Sequence, residues 1–111
     1  MWSRDIEKLK RFYVDYFGGI AGNKYMNSQK QFESYFITFE SGARLELMQT
    51  PSILERDNNG MNHYIGLVHI AFSVGNKRAV DKLTSEPRTT GDGYYESCVL
   101  DPEGNLIEIT E

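Results

Sequence analysis

The sequence contains little of what several classes of protein require. It has one cysteine, Cys98, in 111 residues, which excludes an internal disulfide framework and a zinc site built from several cysteines. No apolar run approaches the ~20 residues that span a bilayer, and the first residues lack the basic-then-apolar pattern of a signal peptide. Acidic residues outnumber basic ones by 16 to 12, and the net charge of −4 argues against a nucleic-acid partner bound by bulk charge. We therefore expect a cytoplasmic protein with no nucleic-acid or membrane partner.

The length and the apolar content indicate one domain. An apolar fraction of 40% in 111 residues is enough for one core without covalent staples. Residues 51–65 are polar and without clear period, and they contain Pro51 and an Asp57-Asn58-Asn59 cluster. We expect a single domain over 1–111, with a first module at about 1–50, a linker at about 51–65 and a second module at about 66–111.

Hydrophobic periodicity predicts one helix in each module. Residues 4–17 form an amphipathic helix that Ser3 can cap and that Gly18-Gly19 ends, and Asn76 can cap the second helix. Strands are predicted at 20–27, 32–39 and 43–49 in the first module, and at 66–74, 94–100 and 106–110 in the second. The turn from Asp101 to Asn105 joins the last two strands. The similar order suggests an internal repeat of βαβββ units. In this interpretation the first unit lacks an opening strand, and the second lacks a strand after its helix.

Three residues that carry chemistry lie in the middle of predicted strands, namely Glu46, His69 and Glu108. A lone carboxylate in a strand usually faces solvent, because burial of an unpaired charge is costly. Together, the three form a set of nitrogen and oxygen donors that suits zinc, nickel, iron or manganese. Two interpretations stay open from the residues alone: solvent-facing side chains, or metal ligands that the fold brings together.

Other candidates have simpler interpretations. His63 lies in the polar linker, where a solvated side chain is expected. Cys98 fits a small apolar strand residue, because no adjacent His or Lys would lower the pKa of its thiol. Tyr94 and Tyr95 open a strand, and alternation sends them to opposite sides of the sheet, to pack in the core or to line a pocket.

Long segments of both modules resemble the vicinal oxygen chelate superfamily, which includes glyoxalase I, bleomycin-resistance proteins and extradiol dioxygenases. In the first module the similar segments are DIEKLKRFYVDYFGG and FESYFITFESGARLELMQ; in the second they are GLVHIAFSVGNKRAVDKL and EPRTTGDGYYESCVLDPEGNLIEIT. The HIAFSV strand and the DPEGNLIEI hairpin are the most specific. The resemblance covers nearly the whole chain.

The resemblance implies an α+β fold of two βαβββ modules, whose curved mixed sheets surround a cleft. It implies a divalent metal, zinc or nickel first and iron or manganese as alternatives, held by Glu46, His69 and Glu108. Glu108 would also be the catalytic base, and Tyr94 and Tyr95 would bind substrate. A fourth ligand on the opening strand has no counterpart before Trp2. Members of the superfamily commonly pair as homodimers, which is the state we expect here.

The function implied is that of a glyoxalase I-like lyase or isomerase acting on a small oxygenated substrate, such as a thiol–methylglyoxal adduct. Glu46 favours this branch over the extradiol dioxygenases, which usually use two His and one Glu around ferrous iron. The first alternative is a metal-free protein of the bleomycin-resistance type that sequesters a drug. Its pocket could be lined by Phe32, Phe36, Tyr94 and Tyr95. A dioxygenase-like member is the second alternative.

Overall fold

The computed structural model describes residues 1–55, 66–84, 87–91 and 93–111 of the chain. The chain divides into two compact units, Met1–Gly60 and Met61–Glu111. Each unit consists of one helix packed on one four-stranded sheet. The predicted α+β class with two mixed sheets is confirmed. Within the described ranges, no helix is both long enough and apolar enough to cross a membrane.

The first unit is organised around its third strand. Its elements are α1 (Ile6–Phe17), β1 (Ile20–Ala21), β2 (Tyr25–Asn27), β3 (Phe32–Thr38) and β4 (Arg44–Gln49). β1 and β2 pair antiparallel with opposite ends of β3, and β4 pairs antiparallel with β3 along nearly the whole length of β3. The single strand predicted over 20–27 is therefore two short strands, separated at Gly22-Asn23-Lys24.

The helix α1 begins and ends as its flanking residues dictate, although one predicted cap is wrong. The Lys8 backbone N–H donates to Asp5 Oδ1 at 3.0 Å, so Asp5 is the N-cap rather than Ser3. The Ser3 backbone N–H instead donates to the Met48 carbonyl at 2.8 Å. At the other end Gly18 takes a φ of 65°, which closes the helix in the left-handed conformation. The apolar face of α1 buries Ile6, Leu9 and Tyr13.

The second unit contains the sheet that carries two of the three candidate ligands. Its elements are β5 (His69–Ser73), α2 (Lys77–Leu83), β6 (Arg88–Thr89), β7 (Tyr95–Leu100) and β8 (Leu106–Thr110), and the strand order is β5-β8-β7-β6. β5 and β8 run parallel, and the other pairs are antiparallel. Asn76 caps α2 as predicted, because its Oδ1 accepts from the Ala79 N–H at 2.9 Å.

The two strands missing from the sequence pattern have different outcomes. The prediction that no strand follows the second helix is wrong, because β6 follows α2 and pairs with β7, with Arg88 opposite Glu96. Two residues are too few to show alternation, which explains why the pattern did not reveal this strand. In the first unit, the place of an opening strand holds a single parallel bridge between Trp2 and Met48.

Each sheet has one face covered by its helix and one helix-free face. Since directly paired residues project to the same side, the register assigns every strand residue to a face. In the first unit Ile37 and Leu47 are fully buried on the covered face. Because side chains alternate along a strand, Glu46, which precedes Leu47, lies on the helix-free face. In the second unit Ile107 and Ile109 are buried beside α2, and Glu108 lies on the helix-free face.

The predicted hairpin turn between β7 and β8 is confirmed in detail. The Asp101 side chain is buried, and its Oδ1 accepts from the backbone N–H groups of Glu103 and Asn105, both at 2.9 Å. The Gly104 N–H donates to the Asp101 carbonyl at 2.9 Å, and Gly104 takes a φ of 78°. This turn sets the register in which β8 presents Glu108.

Candidate functional site

His69 and Glu108 are far apart in sequence but adjacent in the structure. They lie on the neighbouring parallel strands β5 and β8, where Ala71 is the direct partner of Glu108 and His69 that of Leu106. His69 Nε2 lies 3.3 Å from Glu108 Oε2. The side chains are 43% and 21% exposed, so both reach solvent from the helix-free face. The second unit thus presents an accessible nitrogen and an accessible oxygen donor side by side.

The pair has the chemistry of two ligands of one divalent metal. Imidazole nitrogen and carboxylate oxygen are common donors to zinc, nickel, iron and manganese. Two donors bound at about 2.1 Å with a tetrahedral angle between them stand about 3.4 Å apart, which is close to the observed separation. Within either unit, the described residues include no group of three or more His, Cys, Asp or Glu that could hold a metal. The residues present therefore fit a metal as a pair of ligands.

Glu46 occupies in the first unit the position that Glu108 occupies in the second. Each lies in the last strand of its sheet, and each is flanked by apolar residues that face the helix. Glu46 is half-buried, and its direct partner on β3 is Phe36. The three predicted ligands are therefore divided, with Glu46 in one unit and His69 and Glu108 in the other. That all three bind one metal stays a prediction.

The two tyrosines predicted to bind substrate have different surroundings. Tyr95 lies on the covered face of the second sheet, where its hydroxyl donates to Asp81 Oδ1 at 2.6 Å and Lys77 Nζ lies 5.1 Å from its ring centroid. It is thus on the opposite side of the sheet from Glu108. Tyr94 precedes β7 and is 56% exposed. Their contact with substrate stays a prediction.

Cys98 lies directly across from Glu108 on the helix-free face, a position that the sequence did not reveal. Its thiol is exposed, and its pKa is raised first by partial burial and then by the carboxylates of Glu108 and Glu96. A raised pKa keeps the sulfur protonated, which is unfavourable for a nucleophile. His63 lies outside the residues that the structure describes.

Sequence reasoning missed two aromatic residues near Glu46. The helix-free face of the first sheet carries Trp2 and Tyr25 in addition to Phe32 and Phe36. Phe32 and Phe36 could be placed on one face by their even spacing, since strand side chains alternate. Trp2 and Tyr25 come from a single bridge and a three-residue strand, which have no periodic signal.

Comparison with known proteins supports the fold. A sequence model of the family described as the Glyoxalase/Bleomycin resistance protein/Dioxygenase superfamily matches residues 1–109. A glyoxalase family protein from Enterococcus faecalis is 21% identical with a TM-score of 0.77, over 99% of this chain and 90% of that one. The trypanothione-dependent glyoxalase I of Leishmania major is 20% identical with a TM-score of 0.73, over 100% and 81%. The lactoylglutathione lyase of Agrobacterium tumefaciens is 20% identical with a TM-score of 0.64, over 100% and 88%. No curated protein matches the sequence.

Proposed function

Since this chain belongs to the Glyoxalase/Bleomycin resistance protein/Dioxygenase superfamily, we propose that it is a metal-dependent lyase or isomerase of a small oxygenated substrate. The substrate class that we favour is the adduct of a thiol with methylglyoxal or a similar 2-oxoaldehyde. The observation that carries the proposal is the 3.3 Å pairing of His69 Nε2 with Glu108 Oε2 on an accessible sheet face. Fold alone does not fix a reaction, so the site has to carry the argument.

His69 and Glu108 would hold the metal from the second unit, and Glu46 would be the carboxylate that the first unit contributes. The metal would be zinc or nickel, with iron or manganese as alternatives. When bound, it would supply Lewis-acid stabilisation to two neighbouring oxygens of the substrate. Both carboxylates project from strand centres, so the surrounding sheet restricts their positions more than a loop would.

Glu108 would also move the proton in the reaction. Its carboxylate would accept a proton from the carbon next to the carbonyl and return it to the neighbouring carbon, which balances as an isomerisation without an oxidant. Its Oε2 lies beside His69, which leaves Oε1 for the proton. The side chain is 21% exposed, so much of it is shielded from water that would compete for the proton.

Glu108→Gln tests this role. The substitution keeps the size of the side chain but removes the base, and we expect loss of turnover by at least ~100-fold. The assay uses metal-loaded protein, methylglyoxal and each of several common thiols. Glu96→Gln is the matched control, since Glu96 lies on the same helix-free face as Glu108 and its Oε1 lies 3.4 Å from Arg88 Nη2. Removal of the Glu96 charge should leave turnover unchanged. Absence of turnover by folded, metal-loaded protein with every thiol tried would refute the proposal.

Metal binding can be tested without activity. Zinc or nickel should raise the unfolding temperature of the metal-free protein, because a ligand that binds only the folded state stabilises it. His69→Gln and Glu46→Gln should each reduce that rise, whereas Glu96→Gln should not. A rise that is the same in all four proteins would remove these residues from the metal site.

A second candidate function is favoured by the exposed aromatic residues of the first sheet. A protein of the bleomycin-resistance type would sequester an aromatic drug without a metal. Elemental analysis separates the two candidates, since a protein that is purified folded and metal-free and that binds an aromatic drug supports sequestration.

We further propose a homodimer, as is common for this fold. Size-exclusion chromatography with light scattering tests it, and a monomer would contradict a cleft shared by two copies.

A further inference from the structure

A groove on the helix side of the first unit lies away from the candidate metal ligands. It runs between α1 and residues 20–24, and its volume is about 570 Å³, a size typical of small-molecule sites. The Tyr35 side chain forms part of its wall. Tyr35 is the direct partner of the buried Leu47, so it projects to the covered face. The groove therefore lies on the opposite side of the sheet from Glu46.

Three cationic side chains and one carboxylate line this groove, which we name the basic groove. The cations are Lys10 and Arg11 of α1 and Lys24, which lies between β1 and β2, and the carboxylate is that of Asp15. The lining thus has a formal charge of +2, although the whole chain has a net charge of −4. A concave region of one sign concentrates ions of the opposite sign, so the basic groove attracts small anions.

The two lysines are held at the groove by carboxylates that do not line it. Lys10 Nζ lies 2.6 Å from Glu7 Oε2, and Lys24 Nζ lies 3.2 Å from Glu7 Oε1 and 3.0 Å from Glu33 Oε2. Both ammonium groups also lie near the Tyr35 ring, at 4.6 Å and 5.8 Å from its centroid. The hydrogen bond to Glu7 raises the pKa of Lys10, and the hydrogen bond to Glu33 raises the pKa of Lys24. The two ammonium groups are therefore close together, fixed in position and charged at neutral pH.

Arg11 supplies the donors that the first unit does not use. Its side chain is exposed, and among the described ranges its guanidinium has no hydrogen-bond or ion-pair partner. A guanidinium presents its N–H donors in a planar fork that matches two oxygens of a phosphate or a carboxylate. The basic groove thus combines two fixed point charges with one group capable of bidentate binding.

The apolar part of the groove bears on what the anion is attached to. Ile20 is 74% exposed and lines the groove together with Val14 and Ala21. An inorganic ion would leave these side chains in water, whereas the organic part of a larger anion would cover them. Burial of apolar surface is favourable, so an organic anion fits the groove better than an inorganic one.

We propose that the basic groove binds a phosphate monoester, with the phosphate at Lys10, Arg11 and Lys24 and the organic part against Ile20. A phosphate monoester carries nearly two negative charges at neutral pH and has three strong acceptor oxygens. It therefore matches the charge of the lining and its three cationic groups, whereas a carboxylate offers one charge and two oxygens. The inference is independent of the proposed lyase activity, because no candidate metal ligand lines the groove.

Glycerol 3-phosphate and glycerol test the need for the phosphate, since they differ only in that group. In an NMR titration of the isotope-labelled full chain, we expect saturable shifts of the backbone amides of residues 10–11 and 20–24 with the ester and none with glycerol. Inorganic phosphate should bind about threefold more weakly than the ester, because it leaves Ile20 uncovered. The titration is run with and without EDTA, and the affinity should be the same in both.

The pH dependence tests the charge of the ligand. The second pKa of a phosphate monoester is about 6, so the ester carries one negative charge fewer at pH 5 than at pH 8. Lysine and arginine stay protonated at both values. We therefore expect binding to be at least threefold tighter at pH 8 than at pH 5.

Four variants test the residues. Arg11→Gln should weaken binding of the ester about tenfold, and Arg11→Lys, which keeps the charge without the planar fork, about threefold. Lys8→Gln is the matched control, because it removes the same charge from an exposed position of the same helix that does not line the groove, and it should change the affinity less than twofold. Asp15→Asn removes the carboxylate of the lining and should strengthen binding, a direction that partial unfolding cannot produce.

Several outcomes would overturn the proposal. They are equal affinities of Arg11→Gln and Lys8→Gln, binding of glycerol as tight as that of the ester, absence of saturable shifts, and shifts confined to residues outside the groove. Binding that disappears in EDTA would also overturn it, because the phosphate would then be bound to a metal. Turnover enters none of these measurements, so failure of the lyase proposal and failure of this one are distinguishable.

Discussion

Glu7 is the charged residue whose contribution to stability the structure defines best. Its carboxylate accepts from Lys10 Nζ at 2.6 Å and from the Tyr35 hydroxyl at 2.9 Å, and it lies 3.2 Å from Lys24 Nζ. Lys24 also lies 3.0 Å from Glu33. The network joins α1 to β3 and to the segment between β1 and β2. We therefore expect Glu7→Gln, which keeps the shape and removes the charge, to loosen the helix from the sheet.

The size of the effect follows from the pKa of Glu7. The hydrogen bond from Lys10 and then that from Tyr35 lower this pKa from 4.5 to about 2. Because the folded pKa lies below the unfolded one, the stabilisation is complete above about pH 5 and decreases as the pH falls toward 2. Such a difference is worth roughly 3 kcal/mol in a shielded site. The Glu7 side chain is 44% exposed, so solvent screening reduces the expected value to about 1 kcal/mol.

Urea denaturation at pH 7 and at pH 3 measures the free energy of unfolding of both proteins. We expect Glu7→Gln to lose about 1 kcal/mol at pH 7 and less than half of that at pH 3, where more than half of the wild-type advantage has gone. Salt at 1 M should also shrink the difference, since the screening length is then about 3 Å. Glu40→Gln in the exposed β3–β4 turn removes the same charge and is the control. A loss that is equal at both pH values, or equal in the two variants, would refute the reasoning.

Two further predictions concern the strand that carries Glu108. Asp101→Ala removes the acceptor of the Glu103 and Asn105 N–H groups and should cost about 2–3 kcal/mol by urea denaturation. Asp101→Asn keeps one acceptor oxygen and should cost less, and an equal loss would show that the turn depends on something else. Ile107→Ala leaves a cavity beneath α2 and should cost about 3 kcal/mol, whereas Ile107→Val should cost about 1 kcal/mol. Equal unfolding energies for the two Ile107 variants would contradict the packing described for this core.

Local chemistry predicted the elements whose signals are complete within a few residues. The amphipathic stretch of α1, the Asn76 cap and the Asp101–Asn105 turn were all predicted correctly from the sequence. The cap of α1 was not, because Ser3 and Asp5 are both capping residue types: Ser3 Oγ accepts from the Asp5 N–H at 3.1 Å, and Asp5 Oδ1 accepts from the Lys8 N–H at 3.0 Å. The Ser3 N–H bonds to the Met48 carbonyl of β4, beside the parallel bridge of Trp2, and the helix begins only at Ile6.

The candidate site could likewise be predicted only in part from the sequence. The residue types of Glu46, His69 and Glu108, and their central positions in strands, were visible in the sequence. Their grouping was not, because β5 and β8 form a parallel pair across a long connection, and no spacing rule links such strands. The aromatic residues on the helix-free face of the first sheet could be predicted only in part, since alternation places Phe32 and Phe36 on one face. Trp2 joins them only through its bridge to Met48.

The packing of the two cores fixes the candidate carboxylates to the helix-free faces. A slip of one residue in β8 would turn Ile107 and Ile109 away from α2 and push Glu108 into the core. The same argument holds for Leu47 and Glu46 in β4. Burial of an unpaired carboxylate and exposure of isoleucine or leucine are both unfavourable, so each glutamate is held outward by its apolar neighbours. The register that stabilises each unit is therefore also the register that presents its candidate ligand, and no separate device is needed to orient it.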